Sequence, residues 1–309
     1  MTNKEKFKVG VIGATGMVGQ RFVTLLENHP WFRLTAVAAS AKSAGKTYWE
    51  AVGSRWSLDI PCPEEAKDIR VLDAEADAEK LAASVDFCFC AVDMKKEEIR
   101  ALEERYAKLE CPIVSNNSAH RWTDDVPMVV PEINADHIAI IDAQRRRLGT
   151  KRGFIAVKSN CSLQSYVPAL HPLMKYGLDR ALVCTYQAIS GAGKTFATWP
   201  EMVDNVIPYI GGEEEKSELE PLKLWGHIEG DKIVKAQGPS ITAQCFRVGR
   251  AHGRSLYEIQ GRSHALHGAD QSRLGRLPRP GTGAGAPLRP QAVPALFCGR
   301  KPSADQTGP

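Results

Sequence analysis

A chain of 309 residues with 43% hydrophobic and 25% charged residues has the proportions of a globular protein and the length of two domains. Its net charge of +4 comes from an Arg-rich, acid-poor C-terminal stretch; the rest is slightly acidic, which argues against nucleic acid as a partner. The polar N-terminus has no signal-peptide core and no apolar run is long enough to cross a membrane, so a cytoplasmic protein is expected.

Residues 8–13 form a short apolar run ending in glycine, and Gly13, Gly16 and Gly19 lead into a helical pattern through Phe22, Leu25 and Leu26. Strand, Gly-rich turn and helix make the phosphate-cradling start of a dinucleotide fold, here spaced GxxGxxG. Gly13 permits the tight turn, Gly16 lets the backbone approach a pyrophosphate, and Gly19 lets helix and strand pack closely. A second strand is predicted over 34–39. An acid near its end would hold the ribose 2′-hydroxyl of NAD, but the chain has Ser40, Lys42 and Ser43 there. Hydroxyls and a Lys suit a 2′-phosphate, so NADP is expected ahead of NAD; a solvated loop would also contain them.

Further strands are predicted over 86–92 and 111–115, with an amphipathic helix over 95–108 between them. The turn 115–121 carries Asn117 and Arg121 at a strand C-terminus, where parallel sheets bind ligands. The Pro-flanked segment 126–134 is expected to cross towards a second domain. Next, an apolar run at 154–157 ends in small polar residues around Cys161, followed by a helical pattern through Leu163, Val167, Leu170 and Leu173. A Cys at a helix N-terminus lies beside unpaired amides and the positive end of the helix dipole. That favours its thiolate, a good nucleophile towards a carbonyl carbon, and the same amides suit an oxyanion. A buried thiol packed as a small hydrophobe is the competing reading, weakened by the polar neighbours Ser159, Asn160 and Ser162.

The other cysteines, at 62, 88, 90, 111, 184, 245 and 298, form no CxxC pair and have no His at zinc spacing, so mostly buried thiols and no metal are expected. A strand over 181–189 closes in Gln187, Ser190 and Gly191; the acidic run 213–216 reads as a solvated helix start; a last strand covers 240–248. Residues 249–309 have no sustained apolar period and are heavy in Arg, Gly and Pro, a composition expected to be disordered or poorly packed.

Taken in order, VGVIGATGMVGQRF (9–22), AASAKSAGK (38–46), SNNSAHR (115–121), SNCSLQ (159–164), QAISGAGK (187–194), EEEK (213–216) and CFRV (245–248) resemble the aspartate-β-semialdehyde dehydrogenases, in their archaeal and fungal branch. The resemblance covers roughly residues 6–248. It implies an α/β fold: a Rossmann-type NADP-binding domain, residues 1–158, and an α+β catalytic and dimerisation domain like that of glyceraldehyde-3-phosphate dehydrogenase, residues 159–248. Residues 249–309 would be a tail foreign to the family. It also implies NADPH-dependent reductive dephosphorylation of L-aspartyl-β-phosphate, on the way to lysine, threonine and methionine, by a homodimer or homotetramer.

In that reading Cys161 is the nucleophile and Gln187 positions the acyl group. Arg247 pairs with the substrate α-carboxylate and Glu213 holds its amine. Lys216, Arg121 and Asn117 serve the phosphate. Gly13, Thr15, Gly16, Met17, Val18, Ser40, Lys42, Ser43, Ser190 and Gly191 hold the cofactor. The family's general acid/base is a His in Asp-Gly-His shortly after CFRV; here only His252 lies close, among the wrong neighbours. Residues 249–253 read one base later permit Asp-Gly-His, so a frame change after Val248 is one origin for the tail, and poor solubility with near-absent activity is its expected consequence. The alternatives are a non-catalytic NADP-binding remnant and an N-acetyl-glutamyl-phosphate reductase.

Overall fold

The structure, a computed structural model, describes residues 6–249 and the backbone of 259–260. His252, Cys298 and nearly all of the tail 249–309 therefore lie outside the described residues. Strands β1 (Phe7–Ile12), β2 (Phe32–Ala39), β3 (Val71–Asp73), β4 (Phe87–Cys90), β5 (Ile113–Ser115) and β6 (Ile155–Val157) form one sheet in the order β3-β2-β1-β4-β5-β6. All its pairings are parallel. Both faces are covered, as a parallel sheet requires. On β1, Val9 and Val11 enter one apolar cluster and Ile12 the other.

Helix α1 (Met17–Leu26) returns over the first face through Phe22, Val23 and Leu26, with α2 (Tyr48–Val52) and α3 (Glu64–Lys67) beside it. Phe22 stacks on Phe89 of β4 at 4.6 Å. Helices α4 (Ala78–Ser84) and α5 (Lys96–Lys108) cover the other face through Leu81, Leu102 and Tyr106. The strand order reverses between β1 and β4, so the crevice beyond their C-terminal ends is where such a sheet takes its ligand.

The segment 126–134 does not cross to a second domain. It lies along the edge of the same sheet: Val129 N donates to Val157 O at 3.0 Å and Val157 N to Pro127 O at 2.9 Å. Its prolines fit an edge position, where a missing N–H costs no ladder bond. The chain then turns through α6 (Pro131–Asn134) and α7 (Ile141–Leu148) before β6.

After β6 come α8 (Leu163–Leu170), β7 (Arg180–Ala188), β8 (Val206–Ile207), α9 (Glu213–Leu224), the hairpin β9 (His227–Glu229) and β10 (Lys232–Val234), and β11 (Ser240–Val248). The apolar period read through Leu173 stops at Leu170. A 3-10 turn containing Pro172 follows, which rotates Leu173 to solvent. β7 and β11 pair in parallel along their whole lengths, with β8 antiparallel on β11 and β12 (Ile259–Gln260) antiparallel on β7. Ala181, Val183, Thr185, Ile241, Ala243 and Cys245 are buried, while Leu182 and Tyr186 on the opposite face are exposed. The inner face is continuous with the parallel sheet's core: Leu163, Tyr166, Leu170, Ala181, Val183 and Ile241 share one cluster with Cys88, Ile113 and Ile155.

Candidate active site

The nucleotide end is built by the first turn. Gly13 has φ +84°, and a Cβ there would fall 2.4 Å from Ala91 O, past the end of β4. A Cβ on Gly19 would fall 2.1 Å from Gly13 O, so helix and turn touch backbone to backbone. Gly16 faces solvent, and its nearest obstacle to a Cβ is Gly13 O at 3.6 Å. It caps α1 with no side-chain hydrogen bond. Thr15 and Met17 are half-buried and Val18 is exposed around it. Tyr48 Oη donates to Ala14 O at 2.9 Å, and Gln20 Nε2 donates to Thr15 O and Arg55 O, holding the turn from behind. A cradle of exposed helix-terminal amides with its one obstructing side chain removed fits a dinucleotide pyrophosphate. Ser40 and Lys42 are exposed just past β2, but Ser43 is buried at 5% exposure. Ser43 therefore shapes the loop from inside rather than meeting solvent, a correction to its expected place among the ligands.

The catalytic end lies where β6 runs into α8. Among the described residues Cys161 is the one exposed thiol; five others are buried and Cys184 is half-buried. Asn160 fixes the turn that presents it. Its Oδ1 accepts from Ser162 N at 2.9 Å and from Ser162 Oγ at 2.6 Å. The Ser162 amide, expected to face the sulfur or an oxyanion, is thus taken by Asn160. Asn160 Nδ2 donates to both Glu213 oxygens at 3.1 and 2.9 Å. Gln187 Nε2 donates to Glu213 Oε2 at 3.3 Å and Lys216 Nζ to Glu213 Oε1 at 2.7 Å. Burial opposes the charge on Glu213, but the Lys216 bond and charge, with Asn160 and Gln187, hold its carboxyl below the ordinary value. Glu213, read as part of a solvated helix start, is instead the hub joining two expected site residues, Gln187 and Lys216, to Asn160 beside the cysteine.

Arg247 is the strand neighbour of Gln187 across β7 and β11. It is 8% exposed, and its NH1 donates to Ala188 O at 3.1 Å. No carboxylate pairs with it among the described residues. Ser190 and Gly191 follow β7 in an exposed turn, and a Cβ on Gly191 would lie 3.5 Å from Arg247 NH1. Gly191 therefore stands just past the end of β7, next to Arg247.

Two expected phosphate ligands face inwards. Arg121 NH1 pairs with Glu220 Oε1 at 2.9 Å, both side chains buried, and its Nε donates to Lys158 O at 2.9 Å. Asn117 Nδ2 donates to Glu103 Oε1 at 3.1 Å. Buried Glu103 also accepts from Ser115 Oγ at 2.5 Å, and burial raises its pKa. Residue types with polar side chains in a strand-end turn allow either a ligand or an internal anchor, and here the buried carboxylates Glu103 and Glu220 claim both. The sequence reading missed Glu103, Glu220 and Lys223. The last donates from Nζ to Arg121 O, Thr123 O and Val126 O at 2.7, 2.9 and 3.0 Å, and burial lowers its pKa to about 8. The one signal available was the helical spacing 213, 216, 220, 223, which puts these side chains along one side of α9.

A parallel nucleotide-binding sheet leading into an exposed Cys, with Gln, Glu and Arg gathered at the ends of a second sheet, defines the two-domain semialdehyde dehydrogenases. Family models agree: "Semialdehyde dehydrogenase, NAD binding domain" matches residues 8–141 and "Semialdehyde dehydrogenase, dimerisation domain" matches 170–257. The chain belongs to the aspartate-semialdehyde dehydrogenase family. It is 41% identical over 243 residues to the Archaeoglobus fulgidus enzyme, covering 79% of this chain and 68% of that one. It is 39% identical over 257 residues to the Saccharomyces cerevisiae enzyme, covering 80% and 68%. The Candida albicans aspartate semialdehyde dehydrogenase solved with NADP superposes with a TM-score of 0.72 at 35% identity, covering 84% of this chain and 72% of that one.

Proposed function

We propose that the chain performs NADP-dependent reductive dephosphorylation of L-aspartyl-β-phosphate to L-aspartate-β-semialdehyde through a thioester on Cys161. The observation that carries this is the convergence on Glu213 of Lys216, of Asn160, which precedes the exposed Cys161, and of Gln187, the strand neighbour of Arg247. The aspartyl substrate is favoured over N-acetyl-glutamyl phosphate by the relatives named above.

The Cys161 thiolate attacks the acyl carbon, the bond to phosphate breaks, and phosphate leaves with the electron pair. Gly13, Thr15, Gly16, Met17, Val18, Ser40 and Lys42 would hold NADP(H), which when bound would supply the hydride that takes the thioester to the aldehyde, the C–S bond breaking and Cys161 leaving as thiolate. Gln187 orients the acyl oxygen. Arg247, whose guanidinium has no carboxylate partner among the described residues, takes the substrate α-carboxylate in a two-pronged bond. Glu213 takes the amine and Lys216 the phosphate. Arg121 and Asn117 support that pocket from behind, since Arg121 reaches a phosphate only by leaving Glu220. Ser190 and Gly191 line the approach from the nucleotide side. His252 remains the candidate acid/base, on residues outside those described.

The boundary near residue 158 follows β6, the last strand of the parallel sheet. The exposed face with Leu182, Tyr186 and Phe246, where Tyr186 and Phe246 stack at 5.3 Å, is the proposed contact of a homo-oligomer, supported by the dimerisation-domain match. No described helix is long and apolar enough to cross a membrane, and a cytoplasmic site suits the unpaired thiols. The assay is phosphate-dependent reduction of NADP+ by aspartate semialdehyde, followed at 340 nm. Turnover should vanish in Cys161→Ala with nucleotide affinity retained. Turnover that survives Cys161→Ala ends the thioester reading; nucleotide binding with no turnover in the unmodified chain favours the remnant.

A further inference from the structure

Glu220 belongs to none of the roles assigned above, yet it is the most buried carboxylate near the nucleophile, at 1% exposure. Its Oε1 accepts from Arg121 NH1 at 2.9 Å and its Oε2 from Asn160 N at 2.6 Å. Asn160 directly precedes Cys161, so the peptide entering the nucleophile hangs on this carboxylate. The same Asn160 is held through its side chain by Glu213, seven residues earlier on α9, about 10 Å along the axis. Its Oδ1 in turn closes over Cys161 onto Ser162. Backbone and side chain of one residue are thus pinned at two points of a single rigid helix.

A buried carboxylate that merely filled space would be costly to keep, because desolvation can exceed the gain from its ion pair. Its geometry gives it a use. A charge-assisted bond of 2.6 Å to the Asn160 amide fixes the height and rotation of the turn that carries the sulfur. Attack on an acyl carbon requires that orientation, since a small displacement of the nucleophile costs rate steeply. We propose that Glu220 is a positioning residue that sets the Cys161 turn for attack, with Arg121 as its counter-ion. This rests on the thioester reading above for its kinetic consequence, but not for its chemical one.

The two consequences have opposite signs. Losing the orientation slows acyl transfer. Removing a negative charge near the sulfur, while the Arg121 cation stays, favours the thiolate towards a small reagent that needs no orientation. The test is Glu220→Gln in the full chain, with Glu215→Gln on the exposed side of α9 as control. The expected result is a kcat at least 10-fold lower with KM for aspartate semialdehyde within 3-fold, and a rate of Cys161 alkylation by iodoacetamide raised at least 3-fold relative to Cys184. The control should move neither. An unchanged kcat, or a kcat and alkylation rate that fall together with the folded fraction, overturns the proposal. If Glu220→Gln does not fold, Glu220→Asp keeps the charge but draws it back by one methylene. It should then lose kcat at least 10-fold without faster alkylation, and a wild-type kcat there overturns the proposal equally. If the unmodified chain has no turnover, the remnant reading is favoured, and unchanged alkylation of Cys161 in Glu220→Gln refutes the positioning role on its own.

Discussion

Gly13, Gly16 and Gly19 look alike in sequence and should fail in different ways when each becomes alanine. At Gly13 the added Cβ meets a positive φ of +84° and sits 2.4 Å from Ala91 O. A left-handed conformation costs an alanine about 1–2 kcal/mol, and forcing a methyl into packed backbone costs about 1–3 kcal/mol more. The sum, about 2–5 kcal/mol, is a large part of the 5–15 kcal/mol typical of a folded domain. Gly19→Ala gains helix propensity of about 1 kcal/mol but meets Gly13 O at 2.1 Å, which no side-chain rotation relieves. It too should destabilise, by about 1–3 kcal/mol. Gly16 has φ −76°, and its Cβ would find ordinary contact at 3.6 Å, so Gly16→Ala should lose only the difference between a Gly and an Ala N-cap, about 1 kcal/mol or less. That methyl would instead stand where a pyrophosphate approaches the α1 amides. Losing one charge-assisted bond costs about 1.5–3 kcal/mol, or roughly 10–150-fold in affinity. Urea unfolding and calorimetric titration with NADPH measure the two quantities on the same three variants. Wild-type NADPH affinity in Gly16→Ala, or wild-type stability in Gly13→Ala, would refute the argument for this turn.

Three other outcomes are expected. Limiting iodoacetamide should label Cys161 before any other thiol, as the exposed one at a helix start, and mass spectrometry reads the order; prior labelling of Cys184 would remove its claim to be the nucleophile. NADPH should bind at least 10-fold more tightly than NADH, and Lys42→Glu should erase most of the difference by placing an acid opposite the 2′-phosphate; equal affinities in the unmodified chain would show that the loop after β2 reads something else. Glu103 has a folded pKa raised by burial above the usual 4.5, so between that value and its folded pKa the unfolded chain has lost a proton the folded chain keeps. Its contribution is therefore present below pH 4.5 and lost as pH rises through the folded value, so the stability of Glu103→Gln relative to the wild type should increase between pH 4 and pH 7, measured by urea unfolding at both; a relative stability that falls over that range would mean that the bonds from Ser115 and Asn117 outweigh burial.

Much of the nucleotide half was legible because its signals are local. A strand, three glycines at fixed spacing and an amphipathic helix carry their own geometry, and β1, α1, β2, β4 and α5 fall where the periodicity put them. The run around Cys161 was legible as a site but not in its burial: Ser159, Asn160 and Ser162 are buried, Asn160 and Ser162 with their polar groups bonded internally, and Cys161 between them is exposed. What could not be read was partnership across long separations. Glu213 and Glu220 sit in an acidic, Lys-containing stretch whose composition is that of a solvated helix, and only the fold brings Asn160 and Arg121 against it, 53 and 99 residues away in sequence. Asn117 and Arg121 sit on the expected turn, but their bonds to Glu103 and Glu220 were not legible, because a strand-end turn shows its residue types and hides which side lies over a buried acid. The edge run 126–134 failed for a related reason: its prolines suit a crossing and an edge equally, and only the bonds to Val157 choose.

The unbroken apolar cluster shared by the two sheets bears on how this architecture can be recombined. A nucleotide-binding half is often treated as a cassette that can be exchanged at its border. Here Leu163, Tyr166 and Leu170 rest in the same cluster as Ile113 and Ile155. A chimaera cut at residue 158 would join two halves whose contact surfaces had been shaped on other partners. Grafts between relatives should therefore succeed only when α8 travels with the parallel sheet, or when the apolar residues on both sides of the cut are exchanged as a set.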